Sequence, residues 1–123
     1  MNQTLLGSFM NFKFIYKICN KSELLEAKNR KHYHGSEKDI KDGYIHFSEK
    51  DQLVETFKKY YSKKNNLVLL KVDTANLDHL IWEQASDGNM FPHLYSTLDM
   101  INVVDEFEVV LNEEGFHILP PNL

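Results

Sequence analysis

The segment Gly35-Ser36-Glu37-Lys38-Asp39-Ile40-Lys41-Asp42-Gly43-Tyr44-Ile45-His46-Phe47-Ser48 decides how this chain is read. Its first half is polar, and Asp42-Gly43 is a tight-turn signal. Tyr44–Phe47 reads as a short strand, and Ser48 reads as the cap of a following helix. Side chains two apart on a strand share a face, so Tyr44, His46 and Ser48 point the same way at a loop-rich rim. Two readings stand for this face. One is a buried strand with a hydrogen-bonded histidine; the other is a site.

Working outward from that segment, Phe12–Cys19 reads as a strand with Phe12, Phe14, Tyr16 and Ile18 on one face and Lys13 and Lys17 on the other. Ser22 suits the N-cap of a short helix through Ala27. Asn29–Asp42 reads as a loop. After Ser48, Glu49–Tyr61 carries an apolar stripe (Leu53, Val54, Phe57, Tyr60, Tyr61) at helical spacing, and Ser48 with Asp51 resembles a capping box. Leu67–Val72 is a continuous apolar run, as a central strand buried on both faces requires. Ile81–Glu83 suits a short strand, Met90–Leu98 is mixed around Pro92, and Val103–Leu111 alternates in part, as a strand. Asn112–Gly115 makes a hairpin turn into Phe116–Leu119. Strands outnumber helices and the two helices come early, which argues α+β rather than an alternating parallel sheet.

The chain has 123 residues, enough for one domain with one core. We read 12–123 as that domain and Met1–Asn11 as a flexible leader with neither the apolar length nor the flanks of a signal or membrane span. Net charge is −4 at pH 7, so composition gives no support for nucleic-acid binding. Basic residues gather at Lys28, Arg30 and Lys31, where a phosphate is one partner to consider, and at Lys58, Lys59, Lys63 and Lys64, a solvated helix face. Cys19 is the single cysteine, which forbids an intrachain disulfide and fits a reducing cytoplasm.

Six histidines are present. His32 and His34 are two apart and could face one way, but nothing nearby completes a familiar metal motif, and no metal is expected. Glu83 follows Trp82, where a half-buried carboxylate is one reading and a solvated one the other. Phe91-Pro92-His93 restricts the backbone. It suits either a kink aiming His93 into a pocket or a core corner.

These residues carry a resemblance. Ile15-Tyr16-Lys17-Ile18, Gly35-Ser36 with Asp39, Asp42–Ser48, Gln52 and Thr56, Leu67–Leu70 with Val72-Asp73, Trp82-Glu83 and Phe91–Tyr95 together resemble domain of unknown function 952, over about Phe14 to Pro120. Leu24-Leu25, Lys31 and Ser96 depart from its usual tryptophan and glycines. The resemblance implies an ADP-ribosyltransferase-like fold, with two small split β-sheets around a cleft for NAD. It implies Tyr16, Ser36, Tyr44, His46 and Ser48 as ligand-binding residues and His46, Glu83 and His93 as catalytic ones. The implied chemistry is displacement of nicotinamide at the ribose anomeric carbon, through a transition state like that of glycoside cleavage. In it His46 bonds a ribose hydroxyl or phosphate, Ser48 fixes the ribose, a tyrosine stacks on a ring, and Glu83 acts on the developing cation. Two alternatives stand beside it: a binding module holding a nucleotide-like ligand without turnover, and a metal-dependent small-molecule enzyme using His32, His34 and His46 or His93. The sequence sets neither the acceptor nor the oligomeric state.

Overall fold

The computed structural model describes residues 13–123, and the expected leader and Phe12 lie outside them. The first strand, β1 (Phe14–Asn20), is buried on both faces. Tyr16 and Ile18 join one apolar cluster with Leu53, Phe57, Leu69 and Val109. Ile15 and Cys19 join the other, with Tyr33, Ile45, Val68, Leu70 and Leu94. Lys17 shares the face of Ile15 and Cys19 and is buried rather than solvated, which corrects the expected two-faced strand.

Helix α1 (Lys21–Arg30) is capped two residues before the expected Ser22. Its N-cap is Asn20, whose side chain accepts from Glu23 N while Glu23 Oε1 accepts from Asn20 N. The expected Asn29–Asp42 loop contains a two-residue strand, β2 (His32–Tyr33), and a helix, α2 (Glu37–Asp42). Ser36 caps α2 through a box with Asp39, and Gly43 ends it at φ +88°. Three α-helices are therefore present among the described residues, not two.

Strand β3 is Ile45–His46. The expected Ser48 box is displaced by one residue: Glu49 and Gln52 form it around a 3-10 turn (Lys50–Gln52) that leads into α3 (Leu53–Tyr60). Ser48 instead pairs its backbone with Tyr16, through N–H···O bonds of 2.8 and 2.9 Å.

The remaining strands are β4 (Leu67–Asp73), β5 (Leu80–Gln84), β6 (Met90–Leu94), β7 (Leu98–Asp99), β8 (Val103–Leu111) and β9 (His117–Ile118). All their pairings are antiparallel. They make a four-stranded sheet β1-β4-β8-β9, a three-stranded sheet β3-β6-β5 and a β2-β7 ribbon. β4 lies between β1 and β8 and sends Val68, Leu70 and Val72 into one cluster and Leu67 and Leu69 into the other, as its apolar run, broken only by Lys71, requires. Each such fully buried side chain contributes about 1.5–3 kcal/mol.

Met90–Leu94 is a strand, so Pro92 is neither a kink nor a corner. Its carbonyl accepts from Phe47 N at 3.0 Å. A strand residue's N and O face one edge, so the missing N–H falls where β3 has already ended. Ile45–Ser48 thus leaves the small sheet and touches the edge of the large one, and the two sheets part around that crossing.

Candidate functional site

Beside the crossing opens a cleft of about 420 Å³, walled by β1, α2, α3, β3 and the β5–β6 hairpin. Tyr16, Ser36, Tyr44, His46, Ser48 and His93 all line it, so the structure brings together six of the residues singled out from sequence. Glu83 does not line it and reaches it only through His93.

The floor is built on a buried ion pair. Lys17 Nζ sits 2.7 Å from Asp39 Oδ2, with both side chains almost wholly excluded from solvent. The same ammonium donates to His46 O at 3.0 Å. Asp39 Oδ2 also accepts from Ser36 N at 2.8 Å, and its Oδ1 meets His46 Nδ1 at 2.6 Å and His46 N at 3.2 Å. Burial pushes the Asp39 carboxyl up. The hydrogen bond from His46 and the charge of Lys17 outweigh it and hold the group well below the usual carboxylate range. The other ring nitrogen, His46 Nε2, lies 3.1 Å from Asp42 Oδ2, which Lys38 Nζ also reaches at 3.0 Å. Both nitrogens of His46 therefore face carboxylate oxygens.

A second arm stands opposite. His93 Nδ1 lies 2.8 Å from Glu83 Oε1, and Tyr95 Oη donates to the same oxygen at 2.6 Å. These two hydrogen bonds, Tyr95's first, lower the Glu83 carboxyl, and Glu83 raises the Tyr95 phenol to about 12. Tyr44 joins the arms. Its ring stacks on His93 at 4.1 Å and lies 4.6 Å from His46, and the imidazole centroids are 5.4 Å apart.

Ser36 and Ser48 are committed locally: the first caps α2, and the Ser48 hydroxyl meets Thr56 Oγ1 at 3.3 Å. Lys17, Asp39 and Asp42 line the cleft although the sequence reading did not expect them as site residues. Ser36-x-x-Asp39 was a legible capping box. Lys17 between Ile15 and Cys19 marked a lysine on an apolar face. His32 lies 3.8 Å from Asp99 and 3.4 Å from the Arg30 carbonyl, and His34 lies 3.4 Å from the Arg30 guanidinium. Among the described residues no group of three or more His, Cys, Asp or Glu side chains is placed to hold a metal ion. None of the described helices is long and apolar enough to cross a membrane.

Structures of protein CC0527 from Caulobacter crescentus are similar to this chain. One crystal structure is 38% identical, covers 86% of this chain and 94% of its own, and has a TM-score of 0.82. A double-mutant crystal structure gives 37% identity with the same coverage and TM-score. A solution NMR structure gives 38%, with 85% of this chain and 90% of its own covered and a TM-score of 0.76. No curated protein matches. The sequence model of the family described as protein of unknown function DUF952 matches residues 18–106, a span that contains every cleft residue named above except Tyr16 and Lys17. With that match over most of its length, the chain belongs to the DUF952 family.

Proposed function

We propose that the cleft binds a nucleotide through its heteroaromatic ring, with NAD as the ligand and ADP-ribosyl transfer as the chemistry. One observation carries this reading. Six aromatic rings (Tyr16, Tyr44, Phe47, Tyr60, Tyr61 and Phe91) and two imidazoles are among the nineteen residues lining the cleft, whereas aromatics make up 12% of the chain. Such a lining suits a flat ring, and the volume falls within the range of small-ligand sites.

The charges fit one end of NAD better than the other. Lys17 and Lys38 are already paired with Asp39 and Asp42, so neither is a dedicated partner for pyrophosphate. Aromatic faces beside Asp42 suit the cationic nicotinamide ring instead. When bound, NAD supplies a ribosyl carbon from which neutral nicotinamide can depart. The chain's part is to hold the ring, exclude water from its faces and present to a ribose hydroxyl the Asp42 carboxylate, which His46 and Lys38 hold. The division of the strands into two sheets around this cleft supports an ADP-ribosyltransferase-like reading of the fold.

Ligand-observed NMR with NAD, ADP-ribose and nicotinamide tests the proposal. We expect NAD to bind the wild type and to bind His46→Ala at least about tenfold more weakly, the equivalent of one charge-assisted hydrogen bond. His46→Gln, which keeps a donor available to Asp39, separates loss of the ligand contact from loss of fold. Nicotinamide accumulating over hours indicates turnover; binding without it indicates a binding module. No binding to wild type removes NAD as the ligand.

A further inference from the structure

We propose that His93 is the proton acceptor of the cleft, held by Glu83 as a positioning residue, and that the group transferred is passed to a hydroxyl, either water or an alcohol. The inference rests on the transfer reading above, and it comes from the different ways the two imidazoles are held.

His46 has no nitrogen to spare. Nδ1 lies 2.6 Å from Asp39 Oδ1 and Nε2 lies 3.1 Å from Asp42 Oδ2, so a carboxylate oxygen already faces each nitrogen. Neither is open to the O–H of an acceptor. His93 is held at one nitrogen. Nδ1 donates to Glu83 Oε1, so in the neutral ring the lone pair lies on Nε2. His93 lines the cleft, and Tyr44 packed on its face at 4.1 Å prevents the ring from turning. Nucleophile-activating dyads are built this way: a carboxylate fixes the tautomer and the far nitrogen takes the proton.

Folding accounts for only part of this arm. The Glu83 side chain is 38% exposed on an edge strand, while its His93 partner is 9% exposed on the middle strand β6. One acceptor suffices to satisfy a buried ring nitrogen. Yet two donors converge on one Glu83 oxygen, Tyr95 Oη at 2.6 Å and His93 Nδ1 at 2.8 Å, and Tyr95 fixes the carboxylate that fixes the ring.

A carboxylate acceptor needs no base at neutral pH, whereas a hydroxyl does. In the step, the acceptor O–H breaks and its proton goes to His93 Nε2. The oxygen lone pair forms the bond to the ribosyl carbon of NAD, here a substrate. The carbon–nitrogen bond breaks with its electron pair leaving on nicotinamide. One ribosyl bond is exchanged for another, the proton is later released to water, and no oxidant or metal is required.

The test has two parts. The first uses no NAD. Long-range 1H–15N spectra report the tautomer of each ring, and diethyl pyrocarbonate, an electrophile taken by an unprotonated nitrogen, reports the free lone pair by peptide mass. We expect His93 as the Nδ1–H tautomer, acylated faster than His46, and a shift toward Nε2–H with slower acylation in Glu83→Gln. An Nε2–H tautomer in wild type, or His46 acylated first, overturns the proposal. The second part follows nicotinamide release from NAD in water by His93→Ala. We expect kcat to fall by about 10²–10⁴, the usual contribution of a general base, and NAD binding to weaken by far less. Unchanged release overturns the proposal. If wild type binds no NAD, the transfer reading fails by itself and the first part still decides whether His93 is the accepting ring.

Discussion

Replacing Lys17 by Met tests whether the cleft floor rests on a buried charge. The ammonium lies 2.7 Å from Asp39 Oδ2, with side-chain exposures of 3% and 2%. Met matches the stem in length and fills the apolar face between Ile15 and Cys19, so little packing is lost. What remains is a buried carboxylate short of its strongest donor. Breaking one partner of a buried pair costs about 3–5 kcal/mol. A second route gives the same size. The mutant can escape by protonating Asp39, and taking a proton at pH 7 onto a group with an ordinary value near 3.9 costs about 4 kcal/mol. That is a large share of the roughly 5–15 kcal/mol that holds a domain together, and it corresponds to a fall in Tm on the order of 10–20 °C. Urea denaturation of wild type, Lys17→Met, Asp39→Leu and the double variant is the assay. Removing both partners leaves no unpaired charge, so the double variant should be more stable than Lys17→Met alone. Its residual cost is about 2–4 kcal/mol, for the lost contacts to the α2 cap and to His46 N and Nδ1. The Lys17→Met penalty should also shrink toward pH 4, where protonating Asp39 is nearly free. A Lys17→Met variant within 1 kcal/mol of wild type, or a double variant that simply adds the two single costs, would refute the reasoning.

Three further outcomes follow from the same geometry. Because Asp39 is held below the ordinary carboxylate value, the unfolded chain binds the extra proton; its contribution is complete above about pH 5 and falls as pH drops through 4 and below, and urea midpoints from pH 6 to 2.5 should show that fall in wild type but not in Asp39→Asn. Gly35→Ala should cost about 3 kcal/mol or more, since its φ is +107° and a Cβ there would sit 2.7 Å from Asp39 Cβ, whereas Gly43→Ala, at φ +88° with open space around it, should cost about 1–2 kcal/mol; equal losses in denaturation would count against the close approach. Asn20→Ala should cost about 1 kcal/mol as the true cap of α1, and Ser22→Ala clearly less, read from helical signal and urea midpoint; the reverse order would restore Ser22 as the cap.

The parts of the fold legible in the sequence were those governed by one strong signal. Leu67–Val72 had no polar residue until Lys71 and became the central strand. Val103–Leu111 alternated in part and became β8. The capping boxes were legible in kind but not in place, because Ser, Asn, Asp and Glu are dense around each helix start. Asn20/Glu23 and Glu49/Gln52 compete with Ser22 and Ser48/Asp51, and which box closes is set by tertiary pairing. Ser48 was lost to the cap because its backbone is engaged by Tyr16 of β1. Pro92 misled for a related reason. A proline argues against a central strand unless the neighbouring strand is too short to need its N–H, and the two-residue length of β3 is not written locally. Tyr44, His46 and Ser48 were legible as one face because period two needs no partner. Lys17 was not, since alternation shows which residues share a face but not that both faces are covered.

The two arms of the cleft differ in what their presence can mean. Lys17, Asp39 and His46 tie β1, α2 and β3 together, so any variant there changes stability and site at once, and a loss of binding at His46 is ambiguous without a fold control. Glu83 stands on the edge strand β5 and Tyr95 just past β6, both partly open to solvent, while His93 is buried on the middle strand β6; the side chains of Glu83, His93 and Tyr95 bond to one another. Gln in place of Glu83 keeps an acceptor for His93 and Tyr95 and removes only the charge. The Glu83 arm is therefore where function can be tested with the least disturbance of the fold, and a Glu83→Gln variant that folds as wild type but loses its tautomer preference would separate the two.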